Sequence, residues 1–223
     1  PRFDDLLSDA PITEWPVLHP GDPAIIIYSG GTTGLPKGIV LSHFAMVAAG
    51  LRYKEITGAG PADSHYSTLS LFHVGGTQLG FIGPMLSDCT TTLDRRFSVS
   101  GYWPRVGEVG ATIIDPVGTM KTALVQAKPS LDEARHGVRF AFGVTGQVPH
   151  SVPTDFTARF GIPLVSIYGL TEAGGALLTS ERDGMRGSGC VGKPHGWCEL
   201  RIADAFDNPL PIGVEGEILM RPL

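Results

Sequence analysis

The sequence predicts an α/β fold: a layered, mostly parallel sheet with flanking helices, followed by the start of a small β-rich subdomain. Three observations predict it. Short apolar runs rich in β-branched residues recur at residues 24–28, 38–41, 111–114, 139–142 and 164–168. Continuous runs of this kind suit strands buried on both faces, as parallel strands are. Segments with helical spacing lie between several of them, and alternating strands and helices build a parallel sheet with helices packed on it. Past about residue 187 the alternation stops, and residues 199–202 and 217–220 read as antiparallel strands around a turn at Asp207-Asn208-Pro209.

The elements run in order along the chain. Residues 1–23 are rich in proline and acidic side chains and read as a linker or irregular edge. The first strand leads through a Gly/Thr loop into the second. Ser42 is placed to cap a helix whose Phe44, Val47, Ala48 and Leu51 fall at i, i+3, i+4, i+7. Residues 67–72 resemble a strand, and 74–87 a helix interrupted by glycines. Pro116 closes the strand at 111–114. Met120, Ala123, Leu124 and Ala127 repeat the helical spacing. Val152, Phe156 and Phe160 line a further helix, with Gly161 as its stop. This gives a core over 24–186 and a β-rich subdomain beginning at 187.

Composition narrows the function. The 223 residues are 42% hydrophobic, enough for a large core, and the net charge is −5 with no Lys/Arg run, which argues against nucleic-acid binding. No stretch approaches a membrane-spanning length, and no signal peptide is evident. Three cysteines without CxxC spacing read as reduced cytoplasmic thiols, not a metal knuckle or a disulfide framework. The chain starts at Pro1, without an initiator Met, which suggests a piece of a longer protein.

The most informative segment is Tyr28-Ser29-Gly30-Gly31-Thr32-Thr33-Gly34-Leu35-Pro36-Lys37-Gly38. Phosphate oxygens need convergent N–H donors and hydroxyls. Glycines let the backbone approach closely, threonines add hydroxyls, and Lys37 adds a positive charge. The segment is not a Walker A loop, because Lys37 is followed by a glycine and a strand-like run. Taken alone, it could equally be a solvated Gly/Thr hairpin.

The full string resembles the signature loop of the adenylate-forming (AMP-binding) superfamily, which includes acyl-CoA synthetases, peptide-synthetase adenylation domains and luciferases. Two more segments match in order. Ser70-Leu71-Phe72-His73-Val74-Gly75-Gly76 resembles the Phe-His segment of fatty and aryl acyl-CoA synthetases, and Tyr168-Gly169-Leu170-Thr171-Glu172 the YGxTE motif. Gly189-Cys190-Val191-Gly192-Lys193-Pro194 and Gly216-Glu217-Ile218 resemble the stretch that leads into that family's third N-terminal subdomain. The resemblance spans about residues 24–223.

The resemblance implies a two-step reaction. A carboxylate attacks the α-phosphate of Mg²⁺·ATP to give acyl-AMP and pyrophosphate, and coenzyme A then displaces AMP. It also implies roles. Ser29, Gly30, Thr32, Thr33 and Gly34 would cradle the β- and γ-phosphates, with Lys37 holding the loop and its charge. Glu172 would be the Mg²⁺ ligand, Thr171 would donate to the α-phosphate, and Tyr168 and Gly169 would face adenine. His73 would border the acyl pocket as a gate or hydrogen-bonding group, beside Phe72, Val74, Gly75, Gln78 and the Ala173-Gly174-Gly175 run. His65 and His43 have no motif support and read as structural or solvated. On the adenine side the family's usual segment is replaced by Gly143-Val144-Thr145-Gly146-Gln147-Val148-Pro149, leaving Thr145, Gly146 and Gln147 as the contacts. The ribose-binding Asp and the catalytic Lys of the C-terminal domain have no counterpart, so the piece alone is expected to be inactive.

The leading reading is a carboxylate–CoA ligase. An amino-acid-activating domain usually carries an acid in the Phe-His segment to pair with the substrate ammonium. Residues 67–76 have none, which favours an uncharged acyl group. A luciferase-like oxygenase is compatible with the motifs but rarer. A non-catalytic nucleotide-binding module is disfavoured by the intact Thr pair and Glu172, and a hydrolase by the absence of GxSxG.

Overall fold

A computed structural model of the chain describes residues 14–30, 35–145, 148–180, 185, 188, 190–196 and 198–222. Strands β1 (Pro23–Ser29) and β2 (Lys37–Ser42) pair antiparallel, with Ser29 opposite Lys37. The Gly/Thr segment therefore joins two strands, as its sequence requires; its residues 31–34 lie outside the described residues. Ser42 caps α1 (His43–Thr57), its hydroxyl accepting from the Ala45 N–H at 3.2 Å.

Helix α1 turns mostly a different face inward from the one its spacing marks. Phe44, Val47 and Leu51 are exposed; Ala48 of that stripe is buried, together with Met46, Ala49, Gly50 and Tyr53. The helix is apolar on more than one side, so close packing decides its orientation. A Cβ at Gly50 would lie 2.5 Å from Leu86 Cδ1, which makes glycine the residue that lets α2 (Gly83–Leu86) approach.

The main sheet holds β3 (Ser64–Ser67), β4 (Thr90–Leu93), β5 (Ile113–Ile114), β6 (Phe140–Val144), β7 (Leu164–Leu170), β8 (Gly175–Ser180) and β9 (Lys193–Pro194), in the order β4-β3-β5-β6-β7-β8-β9. The first five are parallel, and β8 and β9 extend the sheet antiparallel. A separate hairpin pairs β10 (Cys198–Ala203) with β11 (Glu217–Pro222). The strand expected at 67–72 lies earlier, at Ser64–Ser67. Its buried His65 and Ser67 are polar, so hydrophobicity alone misses it. Residues past it lead into a π-helix (Gly76–Ile82) that continues as α2.

Side chains alternate across the sheet. Ile113, Phe142, Val165 and Ile167 pack with Tyr53 of α1 and Leu79 of the π-helix. Tyr66, Ile114, Ala141 and Leu164 pack on the other face with α3 (Tyr102–Glu108), α4 (Gly118–Gln126) and α5 (Ser151–Phe160). Val152, Phe156 and Phe160 form the inner face of α5, and Gly161, at φ 68°, ends it in the left-handed conformation glycine adopts freely. The chain leaves β3 toward β4 but next returns to β5 on the other side of β3. That reversal makes a topological switch point, and the crevice beyond the carboxyl ends of β3 and β5 is the expected ligand site.

The opposite end of the sheet, at the starts of β3, β5 and β6, is clamped by Asp63. Arg139 reaches both its oxygens, from Nε and Nη2 at 2.8 Å each, while Thr112 Oγ1 donates at 2.7 Å and the Gly60 N–H at 3.1 Å. Arg139 Nη1 also donates to the Thr57 carbonyl at the end of α1. Hydrogen bonds from Arg139, more than those from Thr112 and Gly60, hold the Asp63 carboxyl down at about 2. The folded carboxyl titrates below the unfolded one, so its stabilisation is complete above about pH 4 and is lost as pH falls through about 2. Asp63→Asn should therefore cost on the order of 2 kcal/mol at pH 6 and progressively less toward pH 2. Thermal denaturation of both proteins across that range checks it; a difference in Tm that stays constant with pH would contradict it.

Candidate functional site

A cavity of about 620 Å³ opens at the switch point. Its walls come from the segment after β3 (Thr68, Leu69, Ser70, Phe72, His73), the loop between β5 and α4 (Asp115, Val117, Gly118), the end of β6, and β7 with the turn beyond it. Segments singled out in the sequence thus meet. Phe72, His73, Val74 and Gly75 form one wall, and Tyr168, Gly169, Thr171 and Glu172 another.

The turn from β7 to β8 is tight. Leu170 pairs with Gly175, the Ala173 N–H donates to the Leu170 carbonyl, and Gly174, at φ 81°, donates to the Thr171 carbonyl. This presents Thr171 and Glu172 at the cavity rim. Glu172 is exposed, yet its carboxyl is held below the ordinary carboxylate range. The Ser29 hydroxyl, hydrogen-bonded to it, is the main cause; its own backbone N–H and the Lys37 ammonium add to the effect against weak desolvation. Ser29 and Lys37 are register partners at the two ends of the Gly/Thr loop. The carboxylate on one rim therefore faces the base of the loop on the other.

His73 is exposed at the cavity wall. The Gly75 N–H donates to its Nδ1 at 3.0 Å, which fixes the tautomer with the proton on Nε2. Tyr168 is half-buried at the cavity end of β7. Thr145 shares a hydrogen bond with Ser166 on the neighbouring strand, so its hydroxyl is committed within the sheet. Gly146 and Gln147, like Thr32, Thr33 and Gly34, lie outside the described residues. Gly30, just past the end of β1, is exposed. Gln78 is fully buried away from the cavity walls, its amide donating to the Gly174 carbonyl at 3.4 Å, so it braces the turn that carries Glu172. His65 is fully buried, with Nδ1 3.2 Å from the Tyr53 hydroxyl, and is structural as expected.

Among the described residues no cluster of three or more His, Cys, Asp or Glu could hold a metal ion by itself. One ionised carboxylate at an open rim nevertheless fits a magnesium ion. That cation keeps waters and substrate phosphates as most of its ligands and takes one or two protein carboxylates.

Two groups were not found from the sequence. Lys121 of α4 is fully buried and donates from Nζ to the Val144 carbonyl at 2.7 Å, bracing the β6 exit from below. Asp115 is 3% exposed and stands in the cavity wall at the end of β5. Residues 67–76 hold no acid, as read from the sequence; Asp115 adds one to the cavity wall from a strand end about 40 residues further along. An Asp closing an apolar parallel strand was the available signal.

The family model described as AMP-binding enzyme matches residues 4–222. A sulfoacetate–CoA ligase of Cupriavidus necator is 32% identical over 207 residues, covering 92% of this chain and 40% of that protein. A crotonobetaine/carnitine–CoA ligase of Escherichia fergusonii is 27% identical over 225 residues, 98% of this chain and 43% of that protein. This chain thus spans about two-fifths of the length of these curated relatives. Among solved structures, an anthranilate CoA ligase in complex with anthranoyl-AMP superposes with a TM-score of 0.83 at 25% identity, over 92% of this chain and 40% of that one. A benzoate CoA ligase from Burkholderia xenovorans LB400 does so at 0.85 and 23% identity, over 96% and 43%, a likeness of fold.

Proposed function

Because this chain belongs to the AMP-binding enzyme family, we propose that it carries the nucleotide and acyl site of an ATP-dependent carboxylate–CoA ligase. One observation carries the reading: Glu172, kept ionised, faces Ser29 and Lys37 at the base of the Gly/Thr loop, on the rim of the cavity walled by Tyr168 and Phe72-His73. The relatives named as CoA ligases support the same reading.

The chemistry is dictated by charge. A carboxylate oxygen must bond to the α-phosphorus of an anionic triphosphate while the bond to pyrophosphate breaks. Donors placed where that charge develops are the main requirement. The backbone and hydroxyls of Thr32, Thr33 and Gly34 would take the β- and γ-phosphates, and Lys37 their charge. Thr171, on the rim, would donate to the α-phosphate, and the ring of Tyr168 would lie against adenine, with Thr145, Gly146 and Gln147 on its edge. Glu172 would hold a magnesium ion, which when bound neutralises phosphate charge. His73, its proton on Nε2, would donate a hydrogen bond at the acyl end without transferring a proton. In the second step the thiol of coenzyme A attacks the acyl carbon and AMP leaves.

No helix among the described residues is long and apolar enough to cross a membrane. A cytoplasmic location and a β-rich subdomain beginning at residue 187 belong to the same proposal. The test is acyl-CoA formation by the full-length enzyme over a panel of carboxylic acids, with and without coenzyme A. Thioester that requires ATP, acid and coenzyme A together is the expected result. Robust turnover of free amino acids with no dependence on coenzyme A would instead favour an amino-acid-activating domain.

A further inference from the structure

Asp115 and its surroundings carry chemistry that acyl activation by itself does not require. Its carboxyl is almost wholly buried, yet it lines the cavity, whose lining also includes Thr68 and the apolar Val74, Leu79, Phe142 and Ile167. The Ser67 hydroxyl donates to Oδ2 at 2.8 Å, and His65 Nε2 stands 3.4 Å from the same oxygen. His65 is itself held by the Tyr53 hydroxyl on its Nδ1. Every hydrogen bond and ion-pair contact of Asp115 among the described residues falls on Oδ2. The second oxygen, Oδ1, has none there. Lys121 of α4 gives its Nζ to the Val144 carbonyl at 2.7 Å.

Oδ1 is not among the fully enclosed side-chain atoms that lack a partner, so it opens on the cavity, where a ligand that displaces solvent must either supply a donor or leave it unpaired. An all-hydrocarbon acyl group would leave Oδ1 unpaired and dry. A second carboxylate on the substrate would be repelled. We infer that the acyl cavity selects carboxylic acids whose tail carries a hydrogen-bond donor, an ammonium or a hydroxyl, received by Asp115. The inference rests on the carboxylate–CoA ligase reading and deepens it. Asp115 supplies from β5 the acid that the Phe72-His73 segment lacks.

The test uses the full-length enzyme and ATP-dependent pyrophosphate release. Three- to six-carbon acids are offered in unsubstituted, ω-hydroxy, ω-amino and dicarboxylic forms, together with benzoate and its hydroxy and amino derivatives. The readout is the ratio of kcat/KM for a donor-bearing acid to that for its unsubstituted match, so that loss of folded protein cancels. Wild type should prefer a donor-bearing form by about 10- to 100-fold, the span produced by a hydrogen bond to a charged group. Asp115→Ala should bring the ratio to about one. Asp115→Asn keeps the shape and an acceptor for Ser67, so it should abolish an ammonium preference while retaining part of a hydroxyl preference. The relative rates of ω-amino and ω-hydroxy acids in wild type identify which donor is taken. Preference for unsubstituted or dicarboxylic acids in wild type would overturn the inference, as would equal losses for all forms in the variants. Both results would leave the ligase reading standing. Absence of pyrophosphate release with every acid would contradict the ligase reading, and this inference with it.

Discussion

Glu172→Gln in the full-length enzyme is expected to slow adenylation by about 10²–10³-fold, the scale for removing one preorganised electrostatic group. The substitution is nearly isosteric. The side chain is exposed at the tip of the β7–β8 turn, so nothing in the core depends on its charge. A glutamine oxygen can still accept from Ser29, so the contact between the rim and the loop base survives. What disappears is the negative charge that the Ser29 hydrogen bond, and to a lesser degree Lys37, keep ionised. A hard divalent cation loses much of its hold when a carboxylate becomes an amide. Single-turnover pyrophosphate release under saturating ATP, repeated across magnesium concentrations, measures the loss. A near-wild-type rate at limiting magnesium would remove Glu172 from the ligand role.

Gly76→Ala is expected to act through the scaffold and to disable the acyl wall altogether. A Cβ at Gly76 would lie 2.2 Å from the Ser70 carbonyl oxygen and 2.6 Å from its carbon. Both atoms are backbone, so no rotamer change relieves the clash. The segment from Ser70 to Gly76 is folded tightly on itself, with the His73 N–H donating to the Ser70 carbonyl and the Thr77 N–H to the His73 carbonyl. Opening it would move Phe72 and His73 off the cavity and disturb the first turn of the π-helix. Overpacking of this kind costs about 1–3 kcal/mol where side chains can yield, and the upper end or beyond is expected here. Thermal denaturation should show a drop in Tm, and the folded fraction should retain nucleotide binding while losing acid-dependent pyrophosphate release. Unchanged Tm with unchanged turnover would contradict the packing described.

The parts of the fold that are legible in the sequence are those where local chemistry and burial agree. Helix α5 is marked by Val152, Phe156, Phe160 and Gly161, and the structure uses all four in those roles. The Gly/Thr loop belongs between two strands because Lys37 is followed by glycine and a β-branched run, and β1 and β2 pair there. Where burial and polarity part company, legibility is lost. Strand β3 contributes His65 and Ser67 to a buried polar chain with Tyr53 and Asp115, so its interior looks like a loop. On α1, Phe44, Val47 and Leu51 form the better-spaced stripe, but the small Ala49 and Gly50 allow closer packing and decide the inner face. Strand β8 escapes because Gly174 and Gly175 suit either room for a ligand or close packing, and only the structure shows them in a tight hairpin turn. Asp115 is only half legible: an Asp closing an apolar strand is visible, but its role depends on which strand ends lie side by side at the switch point, and strand order is not written in local sequence.

The fate of one oxygen atom tests the adenylate-forming site most directly. If the substrate carboxylate attacks the α-phosphorus, one carboxylate oxygen becomes the bridge in acyl-AMP and departs with AMP when the thiol attacks the acyl carbon. The full-length enzyme, given an acid labelled with ¹⁸O in its carboxylate together with ATP and coenzyme A, should release AMP carrying one labelled oxygen and unlabelled pyrophosphate. Mass spectrometry of the two products reads this out. Label in inorganic phosphate with formation of ADP, or AMP free of label, would contradict the adenylate-forming site described.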